Sequence, residues 1–373
     1  MDFNDLLKLM VEKNASDLFI SADVEPSMKI NGQILPVTKT KLSPEIIQQL
    51  IHSIMSDKQR DEFARTRECN FAITDREKTS RFRVSAFQQR DMPGMVLRKI
   101  ETRIPTADAL RLPPILKELA MTKRGIILFV GATGTGKSTS LASLIGHRNH
   151  NSRGHIITIE DPIEFVHQHA GCIITQREVG IDTDSFEIAL KNTLRQAPDV
   201  ILIGEIRSRE VMDYAVAFAE TGHLVFATLH ANNANQALDR IIHFFDADRH
   251  GQLYMDLSLN LRAIIAQQLV PTKDGKGRRA AIEILINSPL MQDYIRKGEI
   301  HELKDLMKRS RELGMQTFDQ ALFDLYKAGE VTYEDALKHS DAPNDLRLQI
   351  KLSESNATSL MNESGKGLFI QHD

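Results

Sequence analysis

The chain has 373 residues, 42% of them hydrophobic and 26% charged, with a formal net charge of −3. This length suggests two domains or one large one, the apolar content is enough for packed cores, and the charge argues against an overall basic nucleic-acid binder. Two cysteines, Cys69 and Cys172, with no C-x-x-C, exclude a disulfide framework and speak against a zinc module. Met1 to Asp5 lack the basic and apolar regions of a signal peptide, and no apolar run approaches about 18 residues. The expected setting is therefore cytoplasmic and reducing.

Phe3, Leu6, Leu7 and Met10 fall at helical spacing and predict a first helix to about residue 13. A short strand is expected at 18–21, then a hairpin of 27–30 and 33–37 around Asn31-Gly32. Ser43 followed by Pro44 reads as a helix start, and Ile46, Ile47, Leu50, Ile51 and Ile54 give that helix an apolar stripe. Three strands follow, at 70–74, 80–88 and 95–100, with turns at 75–78 and at Met92-Pro93-Gly94. In the middle strand Phe82 and Val84 share one face, and Arg81, Arg83 and Ser85 the other. Residues 1–101 thus read as a small α+β domain with an antiparallel sheet, and the prolines at 105, 113 and 114 mark 102–113 as a linker.

From residue 114 strands alternate with helices. Strands are expected at 126–130, 155–159, 200–203 and 224–228, with helices at about 137–149, 184–196 and 208–220 between them. That rhythm is α/β, a parallel sheet covered on both faces, with its ligand beyond the carboxyl ends of the strands. Residues 233–340 read as mostly helical, interrupted by one strand at 281–286, so this domain runs from 114 to 340. The extension 341–373 ends in a polar stretch from Ser353, read as a partly disordered tail.

Gly131-Ala132-Thr133-Gly134-Thr135-Gly136-Lys137-Ser138 fits G-x-x-x-x-G-K-[ST] between a strand and a helix. Glycines let successive N–H groups turn inward to cradle phosphate oxygens, and the helix N-terminus adds positive potential. Lys137 would reach the β- and γ-phosphates of ATP, Ser138 would hold magnesium, and Thr139 completes the candidate nucleotide-binding stretch. Three acids, Glu160, Asp161 and Glu164, follow one strand, and pattern alone does not rank Glu160 against Glu164 as the carboxylate that orients water. Glu205 ends the strand at 200–203 after an inserted glycine and suits a magnesium-side carboxylate. His223 and His230 bracket the strand at 224–228; His167 and His169 have no third metal ligand in view.

Four blocks carry a resemblance: Gly131–Ser138, Thr158–Val166 (TIEDPIEFV), Asp199–Arg207 (DVILIGEIR) and Thr221–His230 (TGHLVFATLH). Together they resemble the secretion-type ATPases, and more closely the type IV pilus retraction ATPases, the PilT/PilU group. The resemblance implies a RecA-like P-loop ATPase domain preceded by a PAS-like α+β domain, assembled as a homo-hexamer with ATP between subunits. It implies Glu164 as the catalytic carboxylate, Glu205 as the atypical residue near magnesium, and His230 as the histidine facing the γ-phosphate, with His223 in the same box. It implies arginines acting in trans, for which Arg83 and Arg98, then Arg81, are the candidates. Two departures point to the PilU branch. Leu290 to Lys297 replace the retraction enzyme's Ala-Ile-Arg-Asn-Leu-Ile-Arg-Glu motif, with only Ile295 and Arg296 aligned, and the chain runs on past that enzyme's usual end. The implied partners are a PilT-like ATPase and an inner-membrane pilus platform protein, with the chain peripheral to the inner membrane. A nucleic-acid translocase would need a basic channel or stacking aromatics, and the chain has no tryptophan. A regulatory subunit that binds ATP and acts through a PilT-like partner is the competing reading.

Overall fold

The computed structural model describes residues 3–30, 32–77, 80–100 and 103–365, with side chains described to residue 354. Asn31 of the expected hairpin, Lys78 of the expected turn, the start of the expected linker and residues 366–373 of the expected tail lie outside the described residues. The chain divides into two compact units. One comprises the residues up to Ile104 together with Pro162–Gln168 and Gln176–Asp184; the other comprises Pro105–Asp161, His169–Thr175 and the chain from Ser185.

The first unit is built on six antiparallel strands, β1 (Asp17–Ser21), β2 (Ser27–Ile30), β3 (Gln33–Pro36), β4 (Glu68–Thr74), β5 (Arg81–Gln89) and β6 (Met92–Ile100). Their order is β3-β2-β1-β6-β5-β4. Alternation sets the faces. Phe82, Val84, Met95 and Leu97 join Leu6, Met10, Ile47 and Ile51 of the helices Phe3–Glu12 and Pro44–Ile54 in one core. The β5–β6 turn lies at Arg90 and Asp91, with φ of +49° and +59°, rather than at Met92-Pro93-Gly94. That is a two-residue turn of the hand that matches strand twist, and Pro93 and Gly94 sit inside β6. A helix at Asp57–Thr66 has no counterpart in the sequence reading. Phe63 is its only buried residue, so it has no apolar stripe; a Ser56–Gln59 capping box starts it instead.

The second unit holds β7 (Gly125–Val130), β8 (Gly154–Glu160), β10 (Val200–Ile203), β11 (Leu224–Leu229), β12 (Leu261–Pro271), β13 (Arg278–Ile286) and the start of β9 (Cys172–Glu178). The order is β13-β12-β7-β11-β10-β8-β9. Strands β12, β7, β11, β10 and β8 are parallel and β13 is antiparallel to β12. β7 is buried along its whole length, each large side chain worth about 1.5–3 kcal/mol on leaving water. The helices Lys137–Asn151, Phe186–Thr193 and Arg209–Glu220 fall between the strands. β12 corrects the mostly helical reading of 233–340. It is buried on both faces at its centre, so it lacks the alternation that marks a half-exposed strand. Where the composition reads as a tail, the helix Pro343–Gly365 is present.

Glu283 of β13 is 2% exposed and ionisable. Its carboxylate accepts the N–H of Ala234 at 2.8 Å and that of Phe318, the first residues of the helices Ala234–Ile242 and Phe318–Lys327. Burial pushes its pKa up from 4.5 to about 7, against the pull of those two N–H groups and of Lys304. The folded state therefore holds the proton more tightly than the unfolded chain. The stability this lends is complete below pH 4.5 and lost as pH rises through about 7, on the order of 3 kcal/mol in all. Glu283→Gln should flatten that loss, which urea melts at pH 5 and pH 8 would measure; equal pH dependence in both proteins would refute it.

Candidate nucleotide site

The chain leaves β7 at Val130, turns through Gly131–Gly136 and enters the helix at Lys137. Gly131, Gly134 and Gly136 have φ of +152°, +81° and +87°. A Cβ on Gly131 would lie 2.6 Å from the Gln267 carbonyl oxygen and from Thr135 Oγ1, and one on Gly136 would lie 2.8 Å from Gln267 Nε2. Glycine is thus required both by conformation and by close approach. Thr135 Oγ1 donates to the Ala132 carbonyl at 2.9 Å. Lys137 is 8% exposed, and its Nζ donates to the carbonyls of Gly131 at 2.7 Å and Ala132 at 2.8 Å. Burial lowers its pKa and the nearby Glu205 carboxylate opposes that shift. The Ser138 side chain is exposed beside it.

The parallel register puts the carboxyl ends of β7, β11, β10 and β8 on one edge of the sheet. Glu160 ends β8 and Asp161 follows it, Glu205 follows β10, and His230 follows β11. Glu205 is the hub of this edge. Its carboxylate accepts from Arg207 Nε at 2.7 Å and lies 3.3 Å from His230 Nε2. Arg207 also reaches Asp161 at 3.2 Å, and its hydrogen bond to Glu205 raises its pKa. Arg207 was in view as the last residue of one motif, but only the fold shows that it bridges two strand ends. The glycine inserted before Glu205 has a packing cause. A Cβ on Gly204 would sit 3.0 Å from Glu160 Cα, and Gly204 N–H donates to the Ile159 carbonyl at 2.7 Å. Thr228 Oγ1 donates to the Gly204 carbonyl from β11. A cavity of about 650 Å³ adjoins this edge, lined by Ala132, Thr133, His230, Asn232, Asp239 and Arg240 among others.

His223 lies at the opposite end of β11, where its ring contacts Thr221 Oγ1 at 3.0 Å and the Phe218 carbonyl at 3.1 Å. A strand of this length separates it from His230 by roughly 20 Å. His169 Nδ1 accepts the N–H of Ile174 at 3.1 Å. Burial brings the His167 pKa down to about 4.

The remaining candidates belong to the first unit. Glu164 lies in Pro162–Gln168 and is exposed. The preceding residue, Ile163, donates its N–H to Glu178, a 3% exposed carboxylate whose pKa burial raises against the opposing charges of Arg81 and Arg83. Arg83 and Arg98 are directly opposite each other on β5 and β6. Arg98 Nε donates to Asp17 at 2.7 Å, whereas the buried Nε of Arg83 has no hydrogen-bond partner among the described residues. So Lys137, Ser138, Glu205 and His230 stand on one unit, and Glu164, Arg83 and Arg98 on the other.

The loop suits a nucleotide's phosphates: two of its glycines, Gly131 and Gly136, leave no room for a side chain, a helix starts at its end, and its lysine is buried. An exposed serine hydroxyl and a carboxylate are the oxygen ligands that magnesium prefers. Fold and loop together define a phosphate-loop nucleoside triphosphatase with a parallel sheet. The chain belongs to the family described as Type II/IV secretion system protein, which matches residues 2–338. It is 72% identical, over 96% of its length and 94% of the relative's, to the Type IV pilus ATPase PilU of Pseudomonas aeruginosa. It is 38% identical to the PilT retraction ATPase of the same organism, over 92% of its own length and 100% of that relative's. Among solved structures, the pilus retraction motor PilT with bound ADP matches with a TM-score of 0.87 at 40% identity, covering 93% of this chain and 99% of that one. The ATPase DotB of Legionella pneumophila matches with a TM-score of 0.78 at 27% identity, over 89% and 93%. The chain therefore sits among the type IV pilus ATPases, of the PilU-like kind, and has a RecA-like ATPase domain with a smaller PAS-like N-terminal domain.

Proposed function

We propose that this chain is an ATP hydrolase that forms a homo-hexamer and powers or assists pilus retraction alongside a PilT-like ATPase at an inner-membrane platform. The observation that carries the reading is the gathering of the phosphate loop, Glu205 and His230 at one sheet edge. The chain's residues divide the work. Gly131–Thr139 bind the triphosphate, Lys137 neutralises it, and Ser138 and Glu205 hold magnesium, whose charge draws electron density from the phosphoryl oxygens. Glu164 orients water and accepts its proton, His230 faces the terminal phosphate through its link to Glu205, and Arg83 and Arg98 act on a neighbouring subunit's nucleotide. By sequence, residues 1–101 and 114–340 are the two working domains, 102–113 joins them, and 341–373 is an accessory extension, with 162–168 and 176–184 belonging to the first compact unit and 105–113 to the second. Among the described residues no helix is long and apolar enough to cross a membrane.

The auxiliary role rests on the helix Pro289–Lys297, where the retraction motif is replaced. There Asp293 pairs with Arg296 and Lys297, each at 2.7 Å, and turns both cations back onto their own helix. Steady-state ATP turnover of the full chain, alone and mixed with a PilT-like ATPase, tests the reading. Turnover alone that rises with the partner is expected. No turnover in either case, with ATP still bound, would leave a nucleotide-dependent scaffold.

A further inference from the structure

We propose that Gln267, on β12, is a positioning residue that holds the phosphate loop in its nucleotide-binding shape. The proposal rests on the reading that this loop binds nucleotide. Gln267 is 3% exposed and lies one residue beyond Ala266, which pairs with Val130, so it stands beside the start of the loop. Both ends of its amide are used. Nε2 donates to the Thr135 carbonyl at 2.9 Å, and Oε1 accepts from Ser140 Oγ at 2.8 Å. The amide orientation is fixed by chemistry, because a carbonyl only accepts and must face the NH₂ group.

The consequence lies in the next peptide unit. In a trans peptide the carbonyl and the following N–H point in opposite directions. Pinning the Thr135 carbonyl against Gln267 therefore turns the Gly136 N–H away from β12. Gly136 caps the helix and has φ of +87°, a conformation a free glycine leaves readily. Gly136 cannot be enlarged either, since a Cβ on it would meet Gln267 Nε2 at 2.8 Å. One buried amide thus sets the direction of a donor in the cradle and ties the loop to the first turn of its helix through Ser140.

The test uses the full chain with magnesium and a fluorescent ATP analogue. Gln267→Glu keeps the size and the Ser140 contact but sets a carboxylate oxygen against the Thr135 carbonyl. Gln267→Met removes both bonds without adding charge. Ser140→Ala breaks the Ser140 bond and leaves the Thr135 contact. We expect both Gln267 variants to bind the analogue at least about tenfold more weakly, with KM for ATP rising more than kcat falls, and Ser140→Ala to stay within about twofold. Unchanged affinity in either folded Gln267 variant would overturn the proposal. So would losses in all three variants that merely track their fall in Tm, since that is general destabilisation. Lys137→Ala serves as the reference: undiminished binding there would remove the nucleotide reading itself, whatever the Gln267 variants do.

Discussion

Glu164→Gln is expected to bind ATP as the parent chain does and to hydrolyse it about 10²–10⁴-fold more slowly. The substitution keeps size and shape and removes only the ability to accept a proton from water. Glu164 is exposed, so no packing is lost and Tm should hold. Rapid-mixing measurement of phosphate release, with analogue binding in parallel, separates the two quantities. Turnover at the parental rate would return the role to the other acids of the segment, of which Glu160 already takes a 2.6 Å hydrogen bond from Thr158.

Lys137→Ala should lose both quantities, with binding weakened at least about 30-fold and turnover at background. Lys137 is buried and donates to two loop carbonyls, so its truncation removes the cradle's cation and leaves Gly131 and Ala132 oxygens without that donor. Its pKa is lowered by burial, so the charge is lost at lower pH than for an ordinary lysine. ATP affinity of the parent chain should accordingly weaken as pH rises into the alkaline range, and the alanine variant should show no such limb. Isothermal titration across that range measures both. Retained affinity in the alanine variant would sink the assignment.

What could be read from the sequence followed from local rules. β7 stood out because an all-apolar run meets a glycine loop, and the helix at Pro44 because Ser43 and Pro44 mark its first turn. The RecA-like fold and the family were legible because four separate motifs agree. The parts not legible are those that depend on contacts distant in sequence. β12 hides because both its faces are buried at its centre, and with it hides Gln267, one of two adjacent glutamines in an apolar stretch, whose partners lie 132 and 127 residues away. Glu283 is likewise a lone acid inside β13 until two helix N-termini converge on it. An acid or amide set in an apolar strand was the available signal in each case, because such a group must find partners or be costly to bury.

The two compact units are interleaved along the chain. The chain passes from one unit to the other after Ile104, Asp161, Gln168, Thr175 and Asp184. The short excursion that bears Glu164 belongs to the first unit, and the phosphate loop belongs to the second. Neither unit is therefore one contiguous stretch of sequence, and a chain cut after Ile104 would leave the first unit without its residues 162–168 and 176–184.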